Sequence, residues 1–301
     1  MASVWINGQV VDEGAASVSI RDMGLLHAAG VFTTMQAAGG RVIRLTQHLL
    51  RLRSSCDALG IPLLYSDSQL TIAVQQLLQQ ERLGEARARL RLTVTRGSAD
   101  PAPSHGTPAP GSVFLTATAL QPYPQELYAR GMSVVLSDQK LNPYDIQAGH
   151  KTLNYLSRLT ELQKAKKCRA DEAIWEDVGG WVQSGSISNI FVVKAGRLLT
   201  PPTRDELTRD EVRAMTAYPT SSVLPGITRG LILELAEQLG IPVERRGINR
   251  GMLMQADECF LTNSLMGIMP VCQIQQSPPG CGKPGELTNR LMRMYERAAG
   301  G

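Results

Sequence analysis

The residues His150-Lys151-Thr152-Leu153-Asn154-Tyr155-Leu156 lie where the chain turns from an irregular segment into a predicted helix. A predicted strand, Ser133–Ser137, precedes that segment, and helical spacing covers Asn154–Lys166. A lysine is usually a solvated surface residue, but one held at a junction of elements can lose its hydration, which lowers its ammonium pKa. Lys151 is therefore a candidate for an amine that condenses with a carbonyl group.

Strands and helices alternate on the C-terminal side of this lysine, whereas hairpins dominate on its N-terminal side. The predicted C-terminal elements after Asn154–Lys166 are helices Thr228–Leu239 and Gly285–Arg297 and strands Glu172–Trp175, Ile190–Val193, Arg197–Leu199, Glu258–Leu261 and Met269–Ile274. The predicted N-terminal elements are hairpins at Asn7-Gly8 and Gly39-Gly40, helices His48–Leu59 and Ser68–Arg82, and strands Arg89–Thr95 and Val113–Thr118. This order predicts an α+β or mixed α/β fold.

The length of 301 residues predicts two domains around one site. Two prolines in Leu120–Pro124 indicate a linker between them. We therefore expect a small α/β domain over residues 1–120, a linker over 121–128 and a larger domain over 129–301. The segment Gly97–Gly111 is rich in Pro, Gly and Ser, which predicts a long surface loop.

Composition excludes several classes of function. The net charge of +4 is weak and dispersed, which argues against a nucleic-acid partner. The five cysteines include no CxxC pair, which is typical of a reduced, intracellular protein, and the four histidines show no metal-ligand spacing. No stretch is long and apolar enough to span a bilayer, and no signal peptide is recognisable. We expect a cytoplasmic protein without a metal, a membrane partner or a nucleic-acid partner.

Three further motifs suit a flat ring that carries a phosphate. Small residues within Trp181–Phe191 let a ring lie close to the backbone, although a plain loop before a strand has the same composition. Pro225-Gly226 makes a tight turn into a helix, whose first N–H groups form an anion cradle or simply a cap. Hydroxyls and a glycine turn in Thr262–Val271 suit further phosphate donors or an ordinary turn.

Together, the four motifs resemble those of the class IV aminotransferases, the fold-type IV pyridoxal-phosphate enzymes. This family includes branched-chain aminotransferases, D-amino-acid aminotransferases and 4-amino-4-deoxychorismate lyases. The resemblance extends from the Asn7-Gly8 hairpin to Pro270-Val271. It implies a larger domain with a pseudo-barrel of strands, pyridoxal 5'-phosphate as cofactor, a small-molecule substrate and a homodimer.

The resemblance also implies roles for individual residues. Lys151 matches the lysine that carries the cofactor as a Schiff base. Arg51 matches the arginine that grips the cofactor phosphate, where a guanidinium can give two parallel hydrogen bonds. The other expected contacts with the cofactor are made by Tyr155, Ser184, Asn189, Gly226, Ile227, Thr228 and Ser264.

Two departures from the family pattern stand out. The family places a glutamate five residues before the asparagine that is Asn189 here, and this chain has Ser184 instead. A hydroxyl stabilises the charge of a pyridinium poorly, so the cofactor becomes a weaker electron sink. The second departure is an insertion, Thr203–Val223, which is charged and predicted to be partly helical.

Two motifs favour one subgroup of the family. Phe32-Thr33-Thr34 and Asn263–Val271 resemble the aminodeoxychorismate lyases, which implies substrate contacts from Thr33, Thr34, Leu265 and Met266. The favoured hypothesis is a lyase that releases pyruvate and 4-aminobenzoate. The alternatives are an aminotransferase for branched-chain or D-amino acids with 2-oxoglutarate, and a cofactor-binding protein with impaired turnover caused by Ser184.

Overall fold

The computed structural model describes residues 2–98, 111–208, 210 and 220–300. Helices and two β-sheets make up these residues, and the predicted mixed α/β fold is confirmed. Leaving aside residues 300 and 301, one compact unit comprises Met1–Gln121 with His150–Asn154, and the other comprises Pro122–Gly149 with Tyr155–Ala299.

The first unit contains a six-stranded antiparallel sheet in the order β2-β1-β6-β5-β3-β4. The strands are β1 Ser3–Ile6, β2 Gln9–Asp12, β3 Gly30–Ala38, β4 Arg41–Val42, β5 Ala88–Thr95 and β6 Val113–Ala119. Its helices are α1 Met23–His27, α2 Leu45–Ala58 and α3 Asp67–Gln80. The apolar faces of α2 and α3 pack with β3 and β5 in one core, as their helical spacing predicts.

The side chains of β3 point alternately to the two faces of the sheet, and this determines which of them enter the core. Val31, Met35 and Ala37 point into the core shared with α2 and α3. Successive side chains of a strand leave opposite faces, so Thr33 shares the face of these three residues and Thr34 does not. The first threonine of the Thr33-Thr34 pair is therefore directed toward helix α2.

The second unit contains a nine-stranded sheet in the order β12-β11-β10-β14-β15-β7-β8-β9-β13, curled into a half-barrel as predicted. The strands are β7 Met132–Leu141, β8 Glu172–Asp177, β9 Trp181–Gly185, β10 Asn189–Lys194, β11 Arg197–Thr200, β12 Val243–Arg245, β13 Ile248–Asn249, β14 Glu258–Asn263 and β15 Gly267–Ile274. The helices are α4 Gln125–Arg130, α5 Leu156–Lys167, α6 Ile227–Gln238, α7 Arg250–Met254 and α8 Glu286–Gly300. Short 3-10 turns occur at Glu13–Ala15 and Glu206–Thr208.

The segment His150–Asn154 belongs to the first unit, although its chain neighbours on both sides belong to the second. Its backbone pairs with β3, which the proposed division into 1–120, 121–128 and 129–301 does not anticipate. Short-range sequence patterns carry no information on a pairing between residues about 120 positions apart. The proposed domain boundaries remain a prediction.

Some predicted elements differ from the structure. Residues Trp181–Gly185, for which no strand is predicted, form strand β9, because Val182 and Ser184 pair with the neighbouring strand β8. Helix α4 begins at Gln125, inside the predicted linker. Most of the predicted loop Gly97–Gly111 and part of the insertion Thr203–Val223 lie outside the described residues.

The core of the first unit gives a test of its packing. Leu77 of α3 is fully buried, and its truncation to alanine leaves a cavity in the core, so we expect Leu77→Ala to lower the free energy of unfolding by about 2–5 kcal/mol. Leu64 is 72% exposed, so Leu64→Ala should change the free energy of unfolding by no more than about 0.5 kcal/mol. Urea unfolding of both variants is the measurement, and equal losses would contradict this packing.

Candidate active site

Backbone hydrogen bonds hold Lys151 against strand β3 of the first unit. The Phe32 N–H donates to the Lys151 carbonyl at 2.9 Å, and the Leu153 N–H donates to the Gly30 carbonyl at 2.9 Å. A Cβ atom on Gly30 would lie 2.6 Å from the Leu153 side chain, so glycine permits the close approach. The half-buried Lys151 side chain places its Nζ 4.7 Å from the centroid of the Phe32 ring.

A chain of polar contacts links Thr33, His48 and Arg51 in the same unit. Arg51 Nη2 donates to Thr33 Oγ1 at 3.1 Å, and that oxygen lies 2.7 Å from His48 Nδ1. Burial, followed by the positive charges of Arg51 and Lys151, lowers the pKa of His48 to about 3. The imidazole is therefore neutral near neutral pH, and the Thr33 hydroxyl can donate to Nδ1 when the ring proton is on Nε2.

The other face of β3 carries Phe32 and Thr34. The Arg91 guanidinium carbon lies 3.6 Å from the centroid of the Phe32 ring, close enough for a cation–π interaction. Thr33 is buried in the Arg51 network, whereas Thr34 is partly exposed. The two threonines expected to contact substrate therefore stand in different surroundings.

In the second unit, a buried carboxylate holds the turn between β9 and β10. Glu172 Oε1 accepts from the N–H groups of Ala173 and Ser186, each at 3.1 Å, and Glu172 Oε2 accepts from Ser188 Oγ at 3.2 Å. Burial raises the pKa of Glu172, and these donors oppose the rise. A Cβ atom on Gly185 would collide with Ser188 Oγ. This close packing keeps the end of β9, including the buried Ser184, in a defined place.

An arginine reaches this strand end from the first turn of α5. Arg158 Nη1 donates to the carbonyls of Gly185 at 3.0 Å and Ser186 at 3.2 Å, and to Ser184 Oγ at 3.4 Å. The guanidinium carbon lies 5.5 Å from the Trp175 ring. Burial lowers the pKa of Arg158, and the charges of Tyr155 and Glu172 oppose that shift. A cation thus stands beside Ser184.

The turn before α6 is held by Asn189. Asn189 Nδ2 donates to the Leu224 carbonyl at 2.9 Å, and a Cβ atom on Gly226 would collide with Asn189 Oδ1. Gly226 is the N-cap of α6 and provides no side-chain cap, so the N–H groups at Ile227 and Thr228 suit an anion. Asn189 therefore shapes the turn, and Gly226 is required for its close approach.

A hydroxyl without a partner lies on the strand next to Asn189. Within the described residues, Thr262 Oγ1 is buried and lacks a hydrogen-bond partner. Thr262 stands directly opposite Asn189 in the β10–β14 pairing, so both side chains leave the same face. Such a hydroxyl calls for an acceptor or donor from a ligand.

The residues after Thr262 form a tight turn. Asn263 Oδ1 accepts from the N–H groups of Leu265 and Met266, each at 2.9 Å. Ser264 and Leu265 are partly exposed, whereas the Met266 side chain packs in the core and its carbonyl accepts from Tyr128. The assignments of Ser264, Leu265 and Met266 to ligands remain predictions, and core packing accounts for the position of Met266.

The sequence profile of the amino-transferase class IV family matches residues 30–274. This chain belongs to that family. Class IV aminotransferases use pyridoxal phosphate, so the chain is a pyridoxal-phosphate-dependent class IV enzyme. Each unit holds groups that suit this cofactor: a candidate amine in the first, and an uncapped helix N-terminus and an unpartnered hydroxyl in the second.

Similar proteins in the class IV family divide between two reactions. A putative branched-chain-amino-acid aminotransferase from Methanocaldococcus jannaschii is 31% identical over 97% of this chain and 95% of its own length. The structure resembles branched-chain amino acid aminotransferase from Escherichia coli with a TM-score of 0.86 and 28% identity, covering 100% of this chain and 95% of that one. It also resembles 4-amino-4-deoxychorismate lyase from Pseudomonas aeruginosa with a TM-score of 0.79 and 28% identity, covering 98% of each chain.

Two other features of this class IV enzyme concern metals and membranes. Across residues 2–98, 111–208, 210 and 220–300, no group of three or more potential metal-ligating His, Cys, Asp and Glu side chains occurs. No described helix combines the length and apolar character needed to cross a bilayer.

Four polar residues of the candidate site were not predicted from the sequence. They are His48 in the first unit and Arg158, Glu172 and Thr262 in the second. Arg158 lies three positions after Tyr155, and this spacing places both on one face of a helix, which is a signal that could have found it. Glu172 is an acidic residue in an otherwise apolar predicted strand, which is also unusual. His48 and Thr262 have no comparable sequence signal, because their roles arise from long-range packing.

The Gly226 turn gives a test of the anion cradle. Gly226→Ala forces Asn189 away from the turn, so we expect the dissociation constant of pyridoxal phosphate to rise by at least about tenfold, or 1.4 kcal/mol. Gly230→Ala is the matched control four residues later in α6, because its Cβ meets no atom within 4 Å. That variant should gain about 0.5–1 kcal/mol in helix stability. Absorbance titration with the cofactor compares the two, and equal affinities would refute the cradle.

The titration of His48 gives a test of its burial beside Arg51 and Lys151. An unfolded histidine titrates near 6.5, while the folded pKa is about 3, so the unfolded chain alone binds this proton between those values. The His48 contribution therefore makes the folded state less stable as pH falls from about 6.5 to about 3, by up to about 1.4 kcal/mol per pH unit. NMR titration should show a His48 imidazole that stays neutral down to about pH 4. Protonation of His48 near its ordinary pKa would contradict the arrangement.

Proposed function

We propose that this chain is a 4-amino-4-deoxychorismate lyase-like enzyme that releases pyruvate and 4-aminobenzoate. The observation that carries the proposal is Ser184, a hydroxyl with the Arg158 cation beside it, at the position where the family has a carboxylate. The Phe32-Thr33-Thr34 motif and the similarity to the Pseudomonas aeruginosa lyase support it.

In this proposal, Lys151 carries pyridoxal phosphate through its amine. The N–H groups of Ile227 and Thr228 bind the phosphate, and a helix N-terminus favours such an anion. Arg51 adds charge-assisted hydrogen bonds, and its contact with Thr33 orients the guanidinium. Two further contacts are proposed from Ser264 to the phosphate and from Tyr155 to the ring hydroxyl.

The chain's own residues account for the proton transfers. Pyridoxal phosphate, when bound, supplies an aldehyde that condenses with amines and a conjugated ring that accepts electrons. The amine of Lys151 would be the base that removes the proton from the substrate carbon bearing the amino group. The carbon–oxygen bond to the enolpyruvyl group then breaks with its electron pair on oxygen, and the substrate ring becomes aromatic. The released enolpyruvate takes up a proton and becomes pyruvate.

The electrostatics at Ser184 favour elimination over transamination. A carboxylate near the ring nitrogen stabilises a pyridinium, and a protonated ring delocalises the electrons left after proton removal. Transamination needs those electrons to stay on the cofactor while the proton moves to another carbon. In the elimination, those electrons form the new double bond of the substrate ring, while the electron pair of the carbon–oxygen bond leaves with the enolpyruvate. The absence of the carboxylate therefore slows the lyase reaction less than it slows transamination.

A branched-chain aminotransferase is the second candidate. The similarity to the Escherichia coli aminotransferase covers the whole chain at the higher TM-score of 0.86. In this alternative, Lys151 would be the base that moves the substrate proton, bound pyridoxal phosphate would hold the amino group between the two half-reactions, and 2-oxoglutarate would accept it. D-amino acids are alternative substrates for the same reaction.

We further propose that the enzyme is a cytoplasmic homodimer, as the family resemblance implies. The proposal assigns substrate contacts to Thr34 and Leu265, which are partly exposed. Thr33 contributes through Arg51 and His48, since its hydroxyl is already engaged by both.

A single assay separates the candidates. With 4-amino-4-deoxychorismate and no amino acceptor, we expect the enzyme to release pyruvate and 4-aminobenzoate in equal amounts, because elimination consumes no acceptor. Lys151→Ala should abolish this release by removing the base. Coupled lactate dehydrogenase detects pyruvate, and chromatography detects 4-aminobenzoate.

Lys166→Ala is the matched control, because Lys166 is an exposed lysine of α5. It should keep full activity and the absorbance of the bound cofactor. Glutamate formed from 2-oxoglutarate and a branched-chain or D-amino acid, without pyruvate release, would establish the aminotransferase instead. Cofactor binding with neither activity would indicate a binding protein with impaired turnover.

A further inference from the structure

The cation beside Ser184 occupies a fixed position. Nη1 of Arg158 is tied to two backbone carbonyls, those of Gly185 and Ser186, at 3.0 and 3.2 Å. Both carbonyls belong to the tightly packed turn that Glu172 holds with two hydrogen bonds, from Ser186 and Ser188. These two hydrogen bonds therefore hold the guanidinium of the partly buried Arg158 in the framework of the site.

The same guanidinium keeps hydrogen-bond donors for a ligand. Every hydrogen bond that Arg158 makes to the described part of the chain starts at Nη1. A guanidinium has five N–H donors in a planar fork, so Nε and Nη2 retain theirs. Trp175 closes one side of the group, and its own Nε1 donates to Ser186 Oγ at 2.9 Å.

The charges around Arg158 leave it a cation. Glu172 and Tyr155 are the titratable groups whose charges favour its protonated form. Arginine stays protonated in proteins because its pKa is above about 12, and the fall caused by burial starts from that value. The guanidinium therefore offers a ligand N–H donors and a positive charge, but no acceptor.

We propose that Arg158 replaces the missing carboxylate and donates a hydrogen bond to the ring nitrogen of pyridoxal phosphate, which binds with that nitrogen unprotonated. This rests on the proposed function only in placing the ring nitrogen at Ser184. A pyridinium N–H would face the Arg158 guanidinium, so two hydrogen-bond donors and two positive charges would oppose each other. An unprotonated nitrogen instead presents a lone pair that a guanidinium N–H can reach.

An unprotonated ring nitrogen would limit the cofactor to reactions in which negative charge on the substrate carbon is short-lived. Without its proton, the ring withdraws electrons weakly, so it stabilises a carbanion poorly. Some substrates lose their leaving group as the proton is removed. Their reaction needs little stabilisation of a carbanion by the ring. Arg158 is thus a specificity-determining residue that disfavours amino-group transfer and leaves elimination open.

The experiment measures the protonation of the ring directly. The full-length enzyme is loaded with pyridoxal phosphate that carries nitrogen-15 in the ring, and its nitrogen NMR signal is followed across the pH range in which the protein is stable. We expect the signal of a neutral pyridine throughout. A pyridinium signal near neutral pH would overturn the proposal.

Two variants identify Arg158 as the cause. Arg158→Gln keeps an amide donor but removes the charge, so the apparent pKa of the ring nitrogen should rise by about one unit or more, a tenfold change in protonation. The combined Arg158→Gln and Ser184→Glu variant restores a carboxylate and should give a protonated ring. Lys166→Gln removes a positive charge from the exposed face of the same helix and should leave the signal unchanged.

The remaining outcomes separate this inference from the proposed function. An unchanged ring signal in both Arg158 variants would overturn the role of Arg158, whatever reaction the enzyme catalyses. An unprotonated ring that responds to Arg158→Gln supports the inference even if the enzyme releases no pyruvate, in which case only the lyase assignment fails. Thermal unfolding of the variants without cofactor shows whether Arg158→Gln folds, and Arg158→Lys, which keeps the charge, should keep the neutral ring.

Discussion

The pairing of His150–Asn154 with strand β3 is the constraint on which the site in the first unit depends. Two backbone hydrogen bonds attach this segment to Gly30 and Phe32, although the residues before and after it belong to the other unit. The attachment fixes Lys151 at a ring face, and its charge adds to the burial and the Arg51 charge that lower the pKa of His48. A reactive amine needs such a position, because a freely moving lysine remains hydrated and protonated.

The second unit has the fold of the family, but the charge at the end of strand β9 differs from the family pattern. The Pro225-Gly226 turn, the uncapped α6 terminus and the unpartnered Thr262 hydroxyl are groups that suit an anion or another polar ligand. At the end of β9, however, Ser184 and Arg158 present a hydroxyl and a cation. A fold does not determine a reaction, since the chemistry follows from the charges that face the reacting atoms. High similarity to aminotransferases is therefore compatible with a different outcome.

The sequence predicted most of the elements and much of the candidate site, for identifiable reasons. Helices α2, α3 and α6 have strong apolar periodicity and clear stop signals, and the Pro225-Gly226 turn is a local motif. The strand Trp181–Gly185 was missed because its last three residues, Gln, Ser and Gly, have weak strand preference, and pairing with β8 holds them in the sheet. His48 and Thr262 act through contacts between distant parts of the chain, which no local pattern encodes.

Positions 158 and 184 act as a pair, and this bears on how the two reactions of the family are related. A glutamate at 184 beside an unchanged Arg158 would form an ion pair with the guanidinium, because Nη1 already reaches the side chain at that position. The paired carboxylate would then be largely neutralised and could not support a pyridinium. A change from one electronic environment to the other requires both residues, so Ser184 alone is an incomplete account of this site.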